Sequence, residues 1–473
     1  MAIDSAVAAY LEPSASAAER TQCVQCIVAL LTQRSQTALS LVQALQACLI
    51  SDDAEQRLRG TSLLNEVIRA GGPHGALAPG DLQHLATFMT ARLSDWSCTE
   101  PAAQACTALL QLGRPPSSRA TQPSASSQAC LAESDCLGLV RSVVDELAGH
   151  VQELTQRERQ ASLQLMLTAT QVCGVAAARS GLDLAEACVA AIDGEKDPRC
   201  LLLAFSLVQA VARVYHQPGV SPLAFQAQAP EVVEVLSCYF PLTFTPPKND
   251  PHSRAQLACA LEEALAASPF LATWAVPLVL EKLSSTYRPA KEDALSALTA
   301  CCRGYGPEAL RPHLPAVWQA LRTEVLAPAA LGLAGSELAA SRTLASRAAA
   351  CLHTLASLYA PCPPASAPHL NPSTQGQPAA APPPPHTPPT PTPMAQGPAP
   401  ELGGVVALAL ADPVVPDLLE LVVEAAVEGH AEGEGWGGGG GGRPAVGAGP
   451  RGRQQGGAQA AEQCSRTWSG GQQ

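Results

Sequence analysis

Cysteine and histidine are the side chains through which a protein most often holds a metal or moves a proton, and this sequence has 17 of the first and 10 of the second. A zinc or iron–sulfur site needs about four such ligands at tight spacing. The chain offers one C-x-x-C, Cys23 and Cys26, and one adjacent pair, Cys301 and Cys302. Within QCVQCIVALL the first two fall at i and i+3 of an apolar helical face, so they read as core thiols; so do Cys301 and Cys302. Cys130 and Cys136 flank a polar interruption and are only slightly better candidates. No histidine stands at H-E-x-x-H or H-x-E…P-C-x-x-C spacing, and His252 (NDPH) and His313 (RPHLP) fit solvated turns at helix starts. G-x-S-x-G and G-x-x-x-x-G-K are both absent. The glycine run at 437–442 follows no strand and precedes no helix, so it makes no phosphate cradle. The expectation is a protein with no catalytic residue, no cofactor and no metal.

The elements that carry these residues are helical. Aromatics are 4% and charged residues 15%, while Ala, Leu and Val dominate the 47% hydrophobic share; a β-sandwich or barrel wants more aromatic and β-branched residues. Apolar residues recur at helical spacing over 18–33, 36–50, 53–70, 80–94, 134–150, 155–174, 197–216, 252–267, 271–284, 289–303, 308–326 and 336–359. No strand alternation competes with them. The net charge of −12 argues against a direct nucleic-acid binder, which needs a basic stripe.

Location follows from the same reading. The opening MAIDSAVAAYLEP lacks a basic n-region and carries Asp4 and Glu12, unlike a secretory signal. No apolar run reaches the ~18 residues of a membrane span; the longest candidate, Leu201 to Ala212, holds Ser206 and Gln209. An odd count of cysteines, many of them inside apolar faces, points to a reducing compartment, cytosol or nucleus.

Composition divides the chain. Residues 1–112 read as HEAT-like helices, 113–129 as a polar linker and 130–360 as further HEAT-like repeats. Residues 361–400 hold 16 of the 42 prolines and no charge, a Pro-rich linker. An isolated helical segment over 401–428 and a Gly-rich tail over 429–473, expected to be disordered, complete it.

Internal similarity favours a solenoid over a bundle. VPLVLEKL (Val276 to Leu283) aligns with LPAVWQAL (Leu314 to Leu321), Pro277 on Pro315, an offset of 38 residues. An Asp, a base six positions on and a Leu four further occur as Asp53, Arg59, Leu63 and as Asp193, Arg199, Leu203; Ser285, Lys291, Leu295 is a degraded copy. In a two-helix repeat the Asp caps the second helix, the base pairs with the adjacent repeat and the Leu packs inward. A period of about 40 is that of the HEAT/armadillo class. The predicted fold is all-α, an α-α superhelix.

Two stretches are candidate contact surfaces. In DGEKDPR, Asp197 and Pro198 suit the N-cap and N1 of a helix, whereas Glu195 and Lys196 have no evident structural task; they are read as an inter-repeat ladder or an exposed binding ridge. YFPLTFTPPKNDPH gathers Tyr239, Phe240 and Phe244 among prolines, with Lys248 beyond them. These rings either staple a long loop or stand out as interface anchors.

Several strings resemble hallmark segments of the MMS-nineteen family: DGEKDPRCLLLAF (Asp193 to Phe205), SCYFPLTFTPPKNDPH (Ser237 to His252), PLVLEKL (Pro277 to Leu283), ALTACCRGYG (Ala297 to Gly306) and LPAVWQALRTEV (Leu314 to Val325). The resemblance runs through roughly residues 20–350 and covers the family's amino-terminal half; its carboxy-terminal HEAT array has no counterpart in this sequence. It implies a non-catalytic scaffold of the cytosolic iron–sulfur assembly (CIA) targeting complex, in nucleus and cytoplasm. Its partners would be the CIA targeting proteins and apo iron–sulfur clients of DNA repair, replication and transcription, such as an XPD-type helicase. Membranes and direct nucleic-acid contact are not implied. The alternative is a generic HEAT adaptor for transport or regulatory partners.

Overall fold

The computed structural model describes residues 3–112, 131–243, 253–330 and 335–359; the expected linkers, the segment 401–428, the tail, Phe244 and Lys248 lie outside them. Among the described residues the chain is helix after helix with no strand. The α-helices form hairpins: α1 (Ile3–Leu11) with α2 (Ala17–Thr32), α3 (Ala38–Leu49) with α4 (Ala54–Gly71), α5 (Pro79–Ala91) with α6 (Thr99–Leu112), and α7 (Glu133–Leu147) with α8 (Gln156–Arg179). They continue as α9 (Leu184–Ile192) with α10 (Pro198–Tyr215), α11 (Leu223–Ser237) with α12 (Arg254–Leu265), α13 (Ala272–Leu283) with α14 (Arg288–Leu310), and α15 (Leu314–Ala330) with α16 (Gly335–Tyr359).

Each even-numbered helix packs on the next even one from α2 to α16, and most odd helices pack likewise, so two helical rows share one core. That is the α-α superhelix, in which each pair buries its apolar face only against its neighbours. The strings 38 residues apart fall in α13 and α15, whose first residues, Ala272 and Leu314, are 42 apart. The longest intervals between second helices fall at 99 to 156 and 198 to 254, where the segments outside the described residues are inserted.

Local sequence starts these helices. Ser16 with Glu19, Thr37 with Ser40 and Ser253 with Gln256 form capping boxes, and Asp53 caps α4. Asp197 caps α10 with Pro198 at the first position, as its sequence predicts. Caps of this kind contribute about 1 kcal/mol each. The longest apolar windows lie in the middle of the even row. Eighteen-residue windows of α8 and α10 reach mean hydropathies of 1.3 and 1.2, enough in length and composition for a membrane span, but 67% and 61% of them are buried within the array. Phe205 and Phe225 lie in this core.

The repeated Asp–base–Leu pattern holds only in part. Asp53 caps α4, but Asp193 closes α9 instead of opening α10. Arg59 pairs with Glu55 of its own helix and Arg199 with Asp197, while Lys291 does cross to Glu324 of α15. Leu63 and Leu295 are buried; Leu203 is half-buried.

Candidate interaction surface

The turn from the first to the second helix of a pair is where this array exposes chemistry. Arg57 lies one turn into α4. Its Nη1 donates back to the carbonyls of Ser51 and Asp52 (both 3.0 Å), closing its own turn. Its Nε and Nη2 donate to Asp95 Oδ2 (2.8 Å) and Oδ1 (3.3 Å) in the turn of the next pair. Asp95 also accepts from the Ser97 hydroxyl (2.7 Å) and amide (3.3 Å). The Arg57 hydrogen bonds hold its carboxyl well below the usual carboxylate range, against the opposing effect of burial. Arg92, stacked over Phe88, donates from Nη2 to Leu49 O (2.8 Å). Two arginines and one aspartate thus knit residues 49–52 to residues 92–97.

The arrangement recurs in α8. Arg159 Nη1 donates to Leu154 O (3.0 Å), and its Nε and Nη2 reach Glu195 Oε2 (2.9 Å) and Oε1 (3.2 Å). Glu195 Oε1 accepts from the amides of Lys196 (2.8 Å) and Asp197 (2.9 Å). Arg254 to Asp293 (2.5 Å) and Lys291 to Glu324 extend the series. In each case a base near the start of an even helix binds an acid further along the chain.

The predicted contact residues separate accordingly. Glu195 is 1% exposed, which corrects its place on an exposed ridge; a carboxylate that accepts a bidentate guanidinium and two amides has no capacity left for a partner, and its role is the inter-repeat one. Lys196 beside it is exposed. Phe240 is buried, correcting its reading as an exposed anchor. Tyr239 is half-buried: its ring meets Phe205 edge-on at 5.7 Å and its hydroxyl donates to Ile192 O (3.3 Å). Burial raises that hydroxyl's pKa. The loop is stapled at its start: Tyr239 is held by the Phe205 ring of α10 and the last carbonyl of α9, and Phe240 beside it is buried.

What the sequence reading overlooked is apolar and exposed. Trp96 (73% exposed) and Ile50 (70% exposed) sit next to the atoms that knit the two turns, and Tyr287 occupies the equivalent turn before α14. The signal was a lone tryptophan in the polar stretch SDWSCT, off any helical period. Its neighbours Asp95 and Arg57 fix the backbone beneath it.

The cysteines divide by burial. Cys301 and Cys302 are fully buried, and burial pushes the Cys301, Cys106, Cys188 and Cys200 thiols up to about 12, far from the reactive thiolate. Cys238 and Cys259 are the exposed thiols among the described residues. Among the thiols of the described residues, brief maleimide treatment of the native protein should therefore modify Cys238 first. Cys259 should follow more slowly, because burial and the Glu263 carboxylate raise its pKa. Peptide mapping by mass spectrometry checks this, and labelling of Cys301 at a similar rate would contradict the packing. His313 lies half-buried in the short turn before α15, its pKa lowered by burial. His252 is outside the described residues.

Residues 42–327 match a protein-family profile described as MMS19_N, Dos2-interacting transcription regulator of RNA-Pol-II. The chain is 33% identical over 313 residues to the MMS19 nucleotide excision repair protein homolog of Bos taurus, covering 66% of this chain and 28% of that protein. It is 30% identical over 315 residues to the homolog of Arabidopsis thaliana, covering 66% and 26%. The chain therefore spans little more than a quarter of the curated relatives it matches. Among solved structures, Kap121p is similar at a TM-score of 0.35 and 13% identity, covering 75% of this chain and 38% of that one.

Proposed function

Since this chain belongs to the MMS19 family through its amino-terminal domain, we propose that it is a non-catalytic scaffold that links the cytosolic iron–sulfur assembly targeting proteins to apo-enzymes of nucleotide excision repair, replication and transcription. Its relatives' names carry the repair connection and the family description the transcriptional one. It would act in both nucleus and cytoplasm and hand over clusters without holding one.

The observation that carries this reading is the edge formed by Ile50 and Trp96. Two large apolar groups stand in water on turns fixed by Arg57, Arg92 and Asp95. Leaving each out of contact forgoes roughly 1.5–3 kcal/mol of burial. Tryptophan on a rigid, arginine-braced support is also the composition of an interface hot spot.

Affinity capture with the tagged full chain from a lysate of matched origin tests the proposal. The expected result is recovery of CIA targeting proteins or an apo iron–sulfur helicase, reduced about tenfold or more by combining Trp96→Ala with Ile50→Ser, with the helical circular dichroism unchanged. Recovery of neither, or of transport cargo instead, would remove the assignment, and recovery untouched by the two substitutions would move the contact elsewhere.

A further inference from the structure

A groove of about 430 Å³ runs between α5 and α7, away from the Ile50–Trp96 edge and independent of the scaffold reading. Ala86, Thr90 and Leu139 form its buried floor. Its α7 wall is Ser134, Gly138 and Ser142, each one turn from the next. Gly138 is the informative residue. Glycine inside a helix is costlier than any residue but proline, and such a cost usually reflects a close approach by another backbone. Yet no described atom lies within 4 Å of where a Gly138 Cβ would stand. Nothing in the described chain itself requires the glycine.

Charge narrows the occupant. No lysine or arginine lines the groove, while Asp135 and Glu146 do. Asp135 Oδ1 accepts from Gln83 Nε2 (3.0 Å) across one end. The two carboxylates are eleven residues apart on α7, three turns and roughly 16 Å, so both fall on one helical face. A helix laid along the groove with two cations at the same three-turn spacing would meet both of them. Small residues one turn apart leave the channel into which such a helix sets its ridge. We propose that the α5–α7 groove docks a basic amphipathic helix of a partner protein, its cations on Asp135 and Glu146 and its backbone close to Gly138.

The test uses the full chain and a fluorescein-labelled, alanine-rich helical peptide carrying two lysines three turns apart on one face. Controls carry glutamates at those positions, or the lysines on opposite faces. Saturable anisotropy change is expected for the first peptide alone. Asp135→Asn with Glu146→Gln should weaken it about tenfold, and Gly138→Leu should abolish it by filling the groove. Gly138→Leu meets open space and should leave the thermal melt intact; Ser142→Leu is a second plug should α7 not tolerate the first. No saturable binding, equal binding of the glutamate peptide, or binding unaffected by both plugs would overturn the proposal. So would a dimer broken by Gly138→Leu, since the occupant would then be a second copy of the chain.

Discussion

Arg159→Ala should destabilise the array by about 3–5 kcal/mol, the loss expected when one partner of a buried ion pair is removed. The Glu195 side chain has no exposure and that of Arg159 is 19% exposed, so the orphaned carboxylate would be left in the protein with only two amides. Urea denaturation measures the loss. Amide exchange should place it in α8 and α10, because a repeat array transmits perturbation mainly to neighbours. The decisive comparison is Arg159→Met combined with Glu195→Leu. Removing both charges and keeping the volume should restore most of the stability. A single-variant loss below about 1 kcal/mol would put the pair with ordinary surface salt bridges.

Gly304→Ala should cost a comparable amount, about 3 kcal/mol or more, at the upper end of overpacking. A Cβ at this position would stand 2.2 Å from the carbonyl oxygen of Ala266, which is backbone and cannot swing away. The next residue makes displacement expensive. Buried Tyr305 donates its hydroxyl to Leu265 O (2.5 Å), satisfying a carbonyl at the end of α12. Moving α14 to relieve the clash breaks that bond. Gly306 fails for another reason: it has open space around it but φ of 75° and ψ of 171°, a conformation essentially confined to glycine, so Gly306→Ala should cost about 1–3 kcal/mol. Equilibrium unfolding of the two variants separates the cases, and a Gly304→Ala protein as stable as its parent would refute the close approach of α12 and α14.

These two glycines explain why ALTACCRGYG was a recognisable string: each of its last three residues has a separate steric or hydrogen-bonding task. Much of the fold was open to reading in the same way. Where a helix has a polar cap and one wet face, as at Asp197–Pro198 or Ser253, period and capping residue locate it within a few residues. The helices that escaped, α6, α9 and α11 among them, lack that contrast. Helix α6 is buried on most of its circumference, α9 has only nine residues, and α11 carries Pro230 inside it. Helix α15 starts later than its apolar run because residues up to Leu310 form the last turn of α14 beyond its Gly306 kink and Arg311–His313 form a short turn of their own.

The contact surface was less legible. Glu195 lies in a charge-dense run that reads as solvated, and nothing near it announces a guanidinium arriving from 36 residues earlier. Pairing between successive helix pairs leaves no local signature. Trp96 escaped because a single aromatic in a polar turn gives no period, and only the fold shows that it remains in water.

In the four cross-pair ion pairs found among the described residues, the cation precedes its anion, by 38, 36, 39 and 33 residues. The array is therefore directional, and where it is cut matters. A fragment ending after Ser237 keeps Arg159 matched, whereas one ending after Leu265 strands Arg254 without Asp293. During synthesis the same asymmetry leaves the pairs that end in α4, α8, α12 and α14 each holding out a positive hook until the ribosome delivers the counter-charge.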